Sequence, residues 1–100
     1  MSVHFPSETK SRIDELCKKN GVRELSLFGS RVRGDADEGS DFDFLVDFFP
    51  ESRMTLFDFS GMQLELEDIV GNKVDLVSKR GLKPRIKDRI LAEARVVYEG

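Results

Sequence analysis

Two aspartates one residue apart, Asp41 and Asp43, stand in Asp41-Phe42-Asp43-Phe44-Leu45-Val46, the most apolar stretch of the chain. A strand sends alternate side chains to opposite faces, so both carboxylates point the same way, with Cα atoms roughly 6.5–7 Å apart. Such a pair can bracket divalent cations held about 3.5–4 Å apart, the spacing that serves in-line displacement at phosphorus. The pattern alone is common. With ten aspartates in 100 residues, about one D-x-D arises by chance, and Asp35-Ala36-Asp37 is a second example. The setting separates the two. Aspartate is depleted in strands, and like charges buried side by side are costly unless a cation neutralises them. Asp75, inside Lys73-Val74-Asp75-Leu76-Val77, repeats the anomaly on another predicted strand. Three carboxylates on two strands make a candidate metal centre, and magnesium suits a hard, oxygen-only set completed by substrate phosphates.

Gly29-Ser30 supplies the complementary chemistry. Glycine at a strand end lets backbone approach a ligand closely. The Ser30 hydroxyl and the free N–H groups of a helix starting at Arg31 would form an anion site, with Ser30 as the helix cap. A strand-Gly-Ser-helix turn is ordinary in most proteins, and Arg31 and Arg33 strengthen it only slightly. His4 is a lone histidine near the terminus and reads as non-catalytic. Cys17 reads as a packed thiol on an apolar helical face. It is the single cysteine, so no internal disulfide can form.

The elements that must position these groups follow from periodicity and punctuation. Ser7 is read as the cap of a first helix carrying Ile13, Leu16 and Cys17, ended by Asn20-Gly21. Val22 to Phe28 and Phe42 to Phe48 are predicted strands, Pro50 stopping the second. Thr55 caps a long helix with Phe59, Met62, Leu66 and Ile69 on one face and Gly71 after its end. Lys73 to Val77 is a third strand. Pro84 opens a last helix with Ile86, Ile90, Leu91 and Ala94 facing in, and Arg95 to Tyr98 closes as a fourth strand. The order α-β-α-β-α-β-α-β predicts an α/β (α+β) domain: one mixed, four-stranded sheet with helices packed against it.

One hundred residues make one domain with little spare volume for a deep private pocket. The 39% hydrophobic and 35% charged fractions suit a globular fold, and no apolar run reaches membrane-spanning length. The terminus Met1-Ser2-Val3-His4-Phe5-Pro6 shows no secretory pattern, which points to the cytoplasm. The net charge of -3 hides an asymmetry: Asp35 to Val70 carries 11 acidic residues and one basic residue, between two mildly basic ends. Solvated faces explain such a middle as well as a cation-binding centre flanked by phosphate-holding groups does.

Taken together, Leu27-Phe28-Gly29-Ser30-Arg31-Val32-Arg33-Gly34-Asp35-Ala36 and Gly39-Ser40-Asp41-Phe42-Asp43-Phe44-Leu45-Val46 resemble the signature of the polymerase-beta nucleotidyltransferase superfamily. That signature is a Gly-Ser, ten residues, then D-x-D, and here ten residues separate Ser30 from Asp41. The wording Gly-Ser-Arg-x-Arg-Gly is similar to the minimal nucleotidyltransferases, the small partners of HEPN-domain proteins. Asp75 follows at the distance of that family's third carboxylate, and the departures at Val32 and Phe44 touch packing rather than chemistry. The resemblance implies a polymerase-beta-like fold forming one minimal nucleotidyltransferase domain over residues 1–100. It implies that Asp41 and Asp43 hold two Mg2+ ions bridging the triphosphate of ATP. Asp75 would complete one metal's shell and orient or deprotonate the attacking hydroxyl. Gly29 and Ser30 would grip the β- and γ-phosphates, Arg31 assisting, with Ser40 supporting the first aspartate.

The implied activity is transfer of AMP from ATP to a hydroxyl, a tyrosine of a HEPN toxin, in a complex where this chain is the antitoxin. Two alternatives stay open: neutralisation of the HEPN partner by binding alone, with an idle metal site, and transfer to RNA ends or a small molecule. The second is disfavoured because so short a chain has little surface to dedicate to such an acceptor. Two surfaces are candidates for meeting a partner: Phe48-Phe49-Pro50, where adjacent aromatics cannot both face one core, and the basic stretch Lys79, Arg80, Lys83, Arg85 and Lys87.

Overall fold

A computed structural model describes residues 4–100; Met1, Ser2 and Val3, read above as part of a terminus without a leader, lie outside the described residues. Helix α1 (Ser7–Lys19) buries Ile13, Leu16 and Cys17, three or four residues apart and so on one face. Its cap is Pro6 rather than Ser7. The Pro6 carbonyl accepts the Lys10 N–H at 2.9 Å, so the helix starts one residue earlier than a serine cap would require. Lys18 and Lys19 occupy the last turn, where the helix dipole favours cations.

Helix α3 (Leu56–Val70) begins as expected. Thr55 Oγ1 accepts the Asp58 N–H at 3.1 Å and Asp58 Oδ2 accepts the Thr55 N–H at 3.2 Å, a reciprocal capping box. Gly71 ends the helix in the left-handed conformation at φ 73°, which glycine adopts without steric cost. Between these helices run β1 (Val22–Phe28), the one-turn helix α2 (Ser30–Arg33) and β2 (Phe42–Phe48); after α3 come β3 (Val74–Ser78), a 3-10 turn (Lys79–Gly81), α4 (Pro84–Glu93) and β4 (Arg95–Glu99).

The sheet order is β3-β2-β1-β4. Strands β2 and β3 are parallel, joined through α3, while β1 pairs antiparallel with both β2 and β4. The mixed sheet is therefore as predicted. Its helical face carries the core, where Phe44, Val46, Leu25 and Leu76 meet Ile13, Leu16, Met62 and Leu66. Alternation sends Asp43, Leu45 and Asp47 of β2 to the opposite face. The β3 edge is blunted from within the chain. Glu67 Oε2 accepts the Val74 N–H at 3.1 Å and Gln63 Oε1 accepts the Leu76 N–H at 3.4 Å, which occupies donors that an unpaired strand would offer to another chain.

Helix α4 departs from expectation. None of its residues is buried, Ile86 is 43% exposed, and Ile90, Leu91 and Ala94 are only half-buried. Helices α1 and α3 already fill the core face of the sheet, so α4 has no apolar layer left to enter.

Thr55→Ala removes an exposed cap without touching the core, and a loss of about 1 kcal/mol is expected in urea denaturation. Leu66→Ala, at a fully buried position, should cost about 2–5 kcal/mol in the same measurement.

Candidate active site

The parallel pairing of β2 with β3 sets Asp43 directly opposite Asp75, on strands about 4.8 Å apart. On its other side Asp43 faces Phe28, the last residue of β1, so the Gly29 turn emerges beside its carboxylate. Asp41 sits one residue before β2 begins. The structure thus brings Asp41, Asp43, Asp75 and Gly29-Ser30 to one end of the sheet. The expectation that all three carboxylates lie in buried strand holds for Asp43 alone, which is half-buried, whereas Asp41 and Asp75 are exposed. The physical reason is position: β2 is an inner strand roofed by the Gly29 turn, while β3 is an edge strand and Asp41 precedes its strand.

Gly29, at φ 83°, lies where only glycine is comfortable, and a Cβ there would overlap Asp43 Oδ2. The backbone of the turn therefore packs closely against the Asp43 carboxylate. Helix α2 starts at Ser30 with Gly29 as its cap, so Ser30 is the first helical residue rather than the cap expected of it. The Gly29 carbonyl accepts the N–H groups of both Val32 and Arg33, at 3.0 and 3.1 Å.

Arg31 lies across the next loop. One guanidinium nitrogen donates to the Ser40 carbonyl at 2.7 Å and to that of Glu38 at 3.4 Å, and the guanidinium carbon stands 4.1 Å from the centroid of the Phe42 ring. These contacts clamp the loop that delivers Asp41. Among the described residues the Arg31 Nε is buried without a partner. Ser40 turns away from Asp41: its hydroxyl donates to Asp37 Oδ1 at 3.2 Å and accepts the Asp37 N–H at 3.0 Å, closing the turn instead of supporting the first aspartate.

Glu93 joins the site unannounced, and Arg33, credited above with only slight support for the turn, is its partner. Glu93 Oε2, from the end of α4, accepts the Gly29 N–H at 2.7 Å, and its Oε1 accepts from Arg33 at 2.9 Å. Arg33 also donates to Asp35 at 3.3 Å. Glu93 lies in no recognisable sequence pattern; only its place at the end of a helix abutting β4 could have hinted at it.

Burial pushes the Asp43 carboxyl above its ordinary value, and the charges of Asp75, Asp41 and Glu93 push the same way against the opposing charge of Arg33. A cation placed beside Asp43 would offset both effects. Among the described residues no three His, Cys, Asp or Glu side chains already converge into a cage. Magnesium commonly keeps one or two carboxylates and takes its remaining oxygens from water and substrate phosphates, so Asp43 with Asp41 or Asp75 fits it. Cys17 takes no part: burial, then the Asp14 charge, push its thiol up to about 12, which leaves it protonated within the core.

Of the two candidate partner surfaces, Phe48 packs edge-on against Phe59 while Phe49 is 37% exposed, so one aromatic of the pair does face outward. In the basic stretch Lys79 pairs with Glu24 and Arg80 with Asp47.

The raised Asp43 value means that the folded chain binds this proton more tightly than the unfolded chain does. The penalty is thus fully present at neutral pH and is relieved as pH falls through the folded-state value. Asp43→Asn should melt above the wild type at pH 7 in EDTA and lose that margin in acid. Magnesium should raise the melting temperature of the wild type only. A variant melting below wild type across the whole range would contradict the like-charge account.

The comparisons with known proteins agree with this geometry. A family profile described as nucleotidyltransferase domain matches residues 10–97. The protein adenylyltransferase MntA of Thermococcus cleftensis is 48% identical over 84 residues, which cover 84% of this chain and 81% of that protein. A solved chain assigned as a minimal nucleotidyltransferase aligns with a TM-score of 0.72 at 40% identity, covering 88% of this chain and 87% of that one. The same fold also recurs in a structure of a tri-AMPylated Shewanella oneidensis HEPN toxin in complex with MNT antitoxin, with a TM-score of 0.67 at 17% identity over 94% of this chain and 72% of that one. With the Gly-Ser turn seated on Asp43 and a second aspartate in register beside it, the chain belongs to the nucleotidyltransferase domain family and is a homologue of the protein adenylyltransferase MntA.

Proposed function

We propose that this protein transfers AMP from ATP to a tyrosine hydroxyl of a HEPN toxin and thereby acts as its antitoxin. The observation that carries the reading is the in-register pair Asp43 and Asp75 with the Gly29 turn resting on Asp43. Asp41, Asp43 and Asp75 would hold two magnesium ions, which supply neutralisation of the triphosphate and of the charge developing on the leaving group. Gly29 and Ser30 bind the β- and γ-phosphates, and Arg31 assists by holding the loop ahead of Asp41. Asp75, exposed on the edge strand, is open to an incoming acceptor and takes the proton of its hydroxyl. The hydroxyl oxygen bonds to the α-phosphorus, the bond from that phosphorus to the bridging oxygen breaks, and pyrophosphate leaves.

Acceptor recognition falls to the partner in this reading, because Asp41 and Asp75 are exposed at an open end of the sheet. The name of the relative MntA supports a protein acceptor, and the solved complex with a tri-AMPylated HEPN toxin supports a HEPN protein in that place. We place the reaction in the cytoplasm, where ATP and magnesium are both available to an antitoxin and its toxin.

Incubation with Mg2+, ATP and the HEPN partner, followed by intact-mass measurement, should show the partner gaining whole AMP units. A tight complex with no mass gain would replace transfer by occlusion; neither complex nor mass gain would turn the search towards RNA or small-molecule acceptors. Asp41→Ala, Asp43→Ala and Asp75→Ala should each lower the transfer rate at least about a hundredfold while remaining folded. Wild-type transfer by the Asp41→Ala, Asp43→Ala double variant would end the enzymatic reading. Ser30→Ala should weaken ATP use and Gly29→Ala more so, because the added Cβ meets both a positive φ and Asp43. Unchanged ATP binding in both variants by calorimetry would reduce Gly29-Ser30 to a turn.

A further inference from the structure

Glu93 stands 64 positions from Gly29 in sequence, yet its carboxylate is shared between that residue's N–H and the Arg33 guanidinium. Its side chain is only 18% exposed. Burial works against its charge, but the hydrogen bonds from Arg33 and Gly29, together with the charges of Arg33 and Arg89, outweigh burial and hold it below the usual carboxylate range. Gly29 is consequently gripped from both sides, its carbonyl by the Val32 and Arg33 amides and its N–H by Glu93. The grip falls where tolerance is smallest, because the Gly29 Cα lies against Asp43 too closely for any Cβ. Arg33 matters for a second reason. Its charge acts on Asp43 from across the site, and Glu93 holds one of its nitrogens away at 2.9 Å.

We infer that Glu93 is a positioning residue of the nucleotidyl-transfer site: it fixes the Gly29-Ser30 turn over Asp43 and keeps Arg33 paired to the end of α4 instead of to the metal-binding carboxylates. This rests on the reading of the site as an ATP-using transferase. A role in stability alone fits poorly. Helix α4 buries no residue, and an ion pair to an arginine whose side chain is 47% exposed adds little to folding. A charge-assisted bond to a backbone N–H, in contrast, orients one turn, and its loss is felt wherever that turn must hold phosphate.

The test uses full-length protein, a non-hydrolysable ATP analogue with Mg2+, and the HEPN partner for turnover. Glu93→Ala should bind the analogue about tenfold more weakly by calorimetry, since the turn loses a bond to a charged acceptor. Glu93→Gln, which keeps an oxygen for the Gly29 N–H but not the charge for Arg33, should fall between it and wild type. In turnover the loss should appear in KM for ATP more than in kcat. In the ligand-free, 15N-labelled protein, the Gly29 amide resonance should move upfield in Glu93→Ala. Adding Arg33→Ala to Glu93→Ala should recover part of the lost affinity, because the freed cation is gone; a purely structural role predicts no such rescue. If Glu93→Ala does not fold, Glu93→Gln carries the test by the same intermediate loss. A folded Glu93→Ala with wild-type affinity and KM would overturn the positioning role alone. Wild-type protein that binds no Mg-ATP analogue would bring down the transferase reading, and the role of Glu93 with it.

Discussion

Like charges held side by side govern this molecule. A half-buried aspartate on an inner strand faces a second aspartate across the parallel pairing, with a third two residues before it, and burial and repulsion both raise its proton affinity. Such an arrangement is unfavourable for folding and persists only where the surrounding structure insists on it. Here the insistence comes from hydrophobic alternation. Phe44 and Val46 must face Ile13, Leu16, Met62 and Leu66, so Asp43 has no choice but the other face, and a register slip would expose the core. The core is thus the anchor against which the acidic site is strained.

The turn above the site depends on the same geometry. Gly29 can rest on Asp43 because it has no side chain, and it stays there because α2 begins on its carbonyl and Glu93 takes its N–H. Arg31 performs the parallel task for the loop before Asp41, spanning the Ser40 carbonyl and the Phe42 ring. Rigid strands therefore supply the two central carboxylates, and two charged side chains discipline the irregular backbone on either side. A domain of 100 residues has no mass to spare for a deeper cleft. It builds the candidate site at the surface, where Asp41 and Asp75 are exposed.

That openness runs through the rest of the surface. Leu56 and Phe57 at the start of α3 are 86% and 89% exposed, and α4 presents Ile86 without burying it. Ile86 is singly exposed, which is ordinary for a folded surface, whereas the adjacent Leu56 and Phe57 leave contiguous apolar surface uncovered at the start of α3.

Much of this was legible in the linear chain. Strand and helix identities followed from period-two and period-3.6 apolar patterns, and the bounds of β1 and β2 and the Thr55 cap came out as expected because the signals that set them, Gly29, Pro50 and the Thr55–Asp58 pair, are local. The carboxylates and the Gly-Ser turn were visible because aspartate is out of place in an apolar strand and because their spacing matches a known signature. What the linear chain withheld was everything set by proximity between distant segments. The parallel register that puts Asp75 against Asp43, the use of Arg31 on the loop and the exposure of α4 each depend on which layer fills first and which strand lies at the edge. Glu93 is the clearest case. Nothing in Leu91-Ala92-Glu93-Ala94 marks it, and it becomes a site residue only because β4 pairs with β1 and thereby brings the end of α4 to the Gly29 amide. Local chemistry is written in residue types, but partnership between residues 64 positions apart is decided by the sheet that both must join.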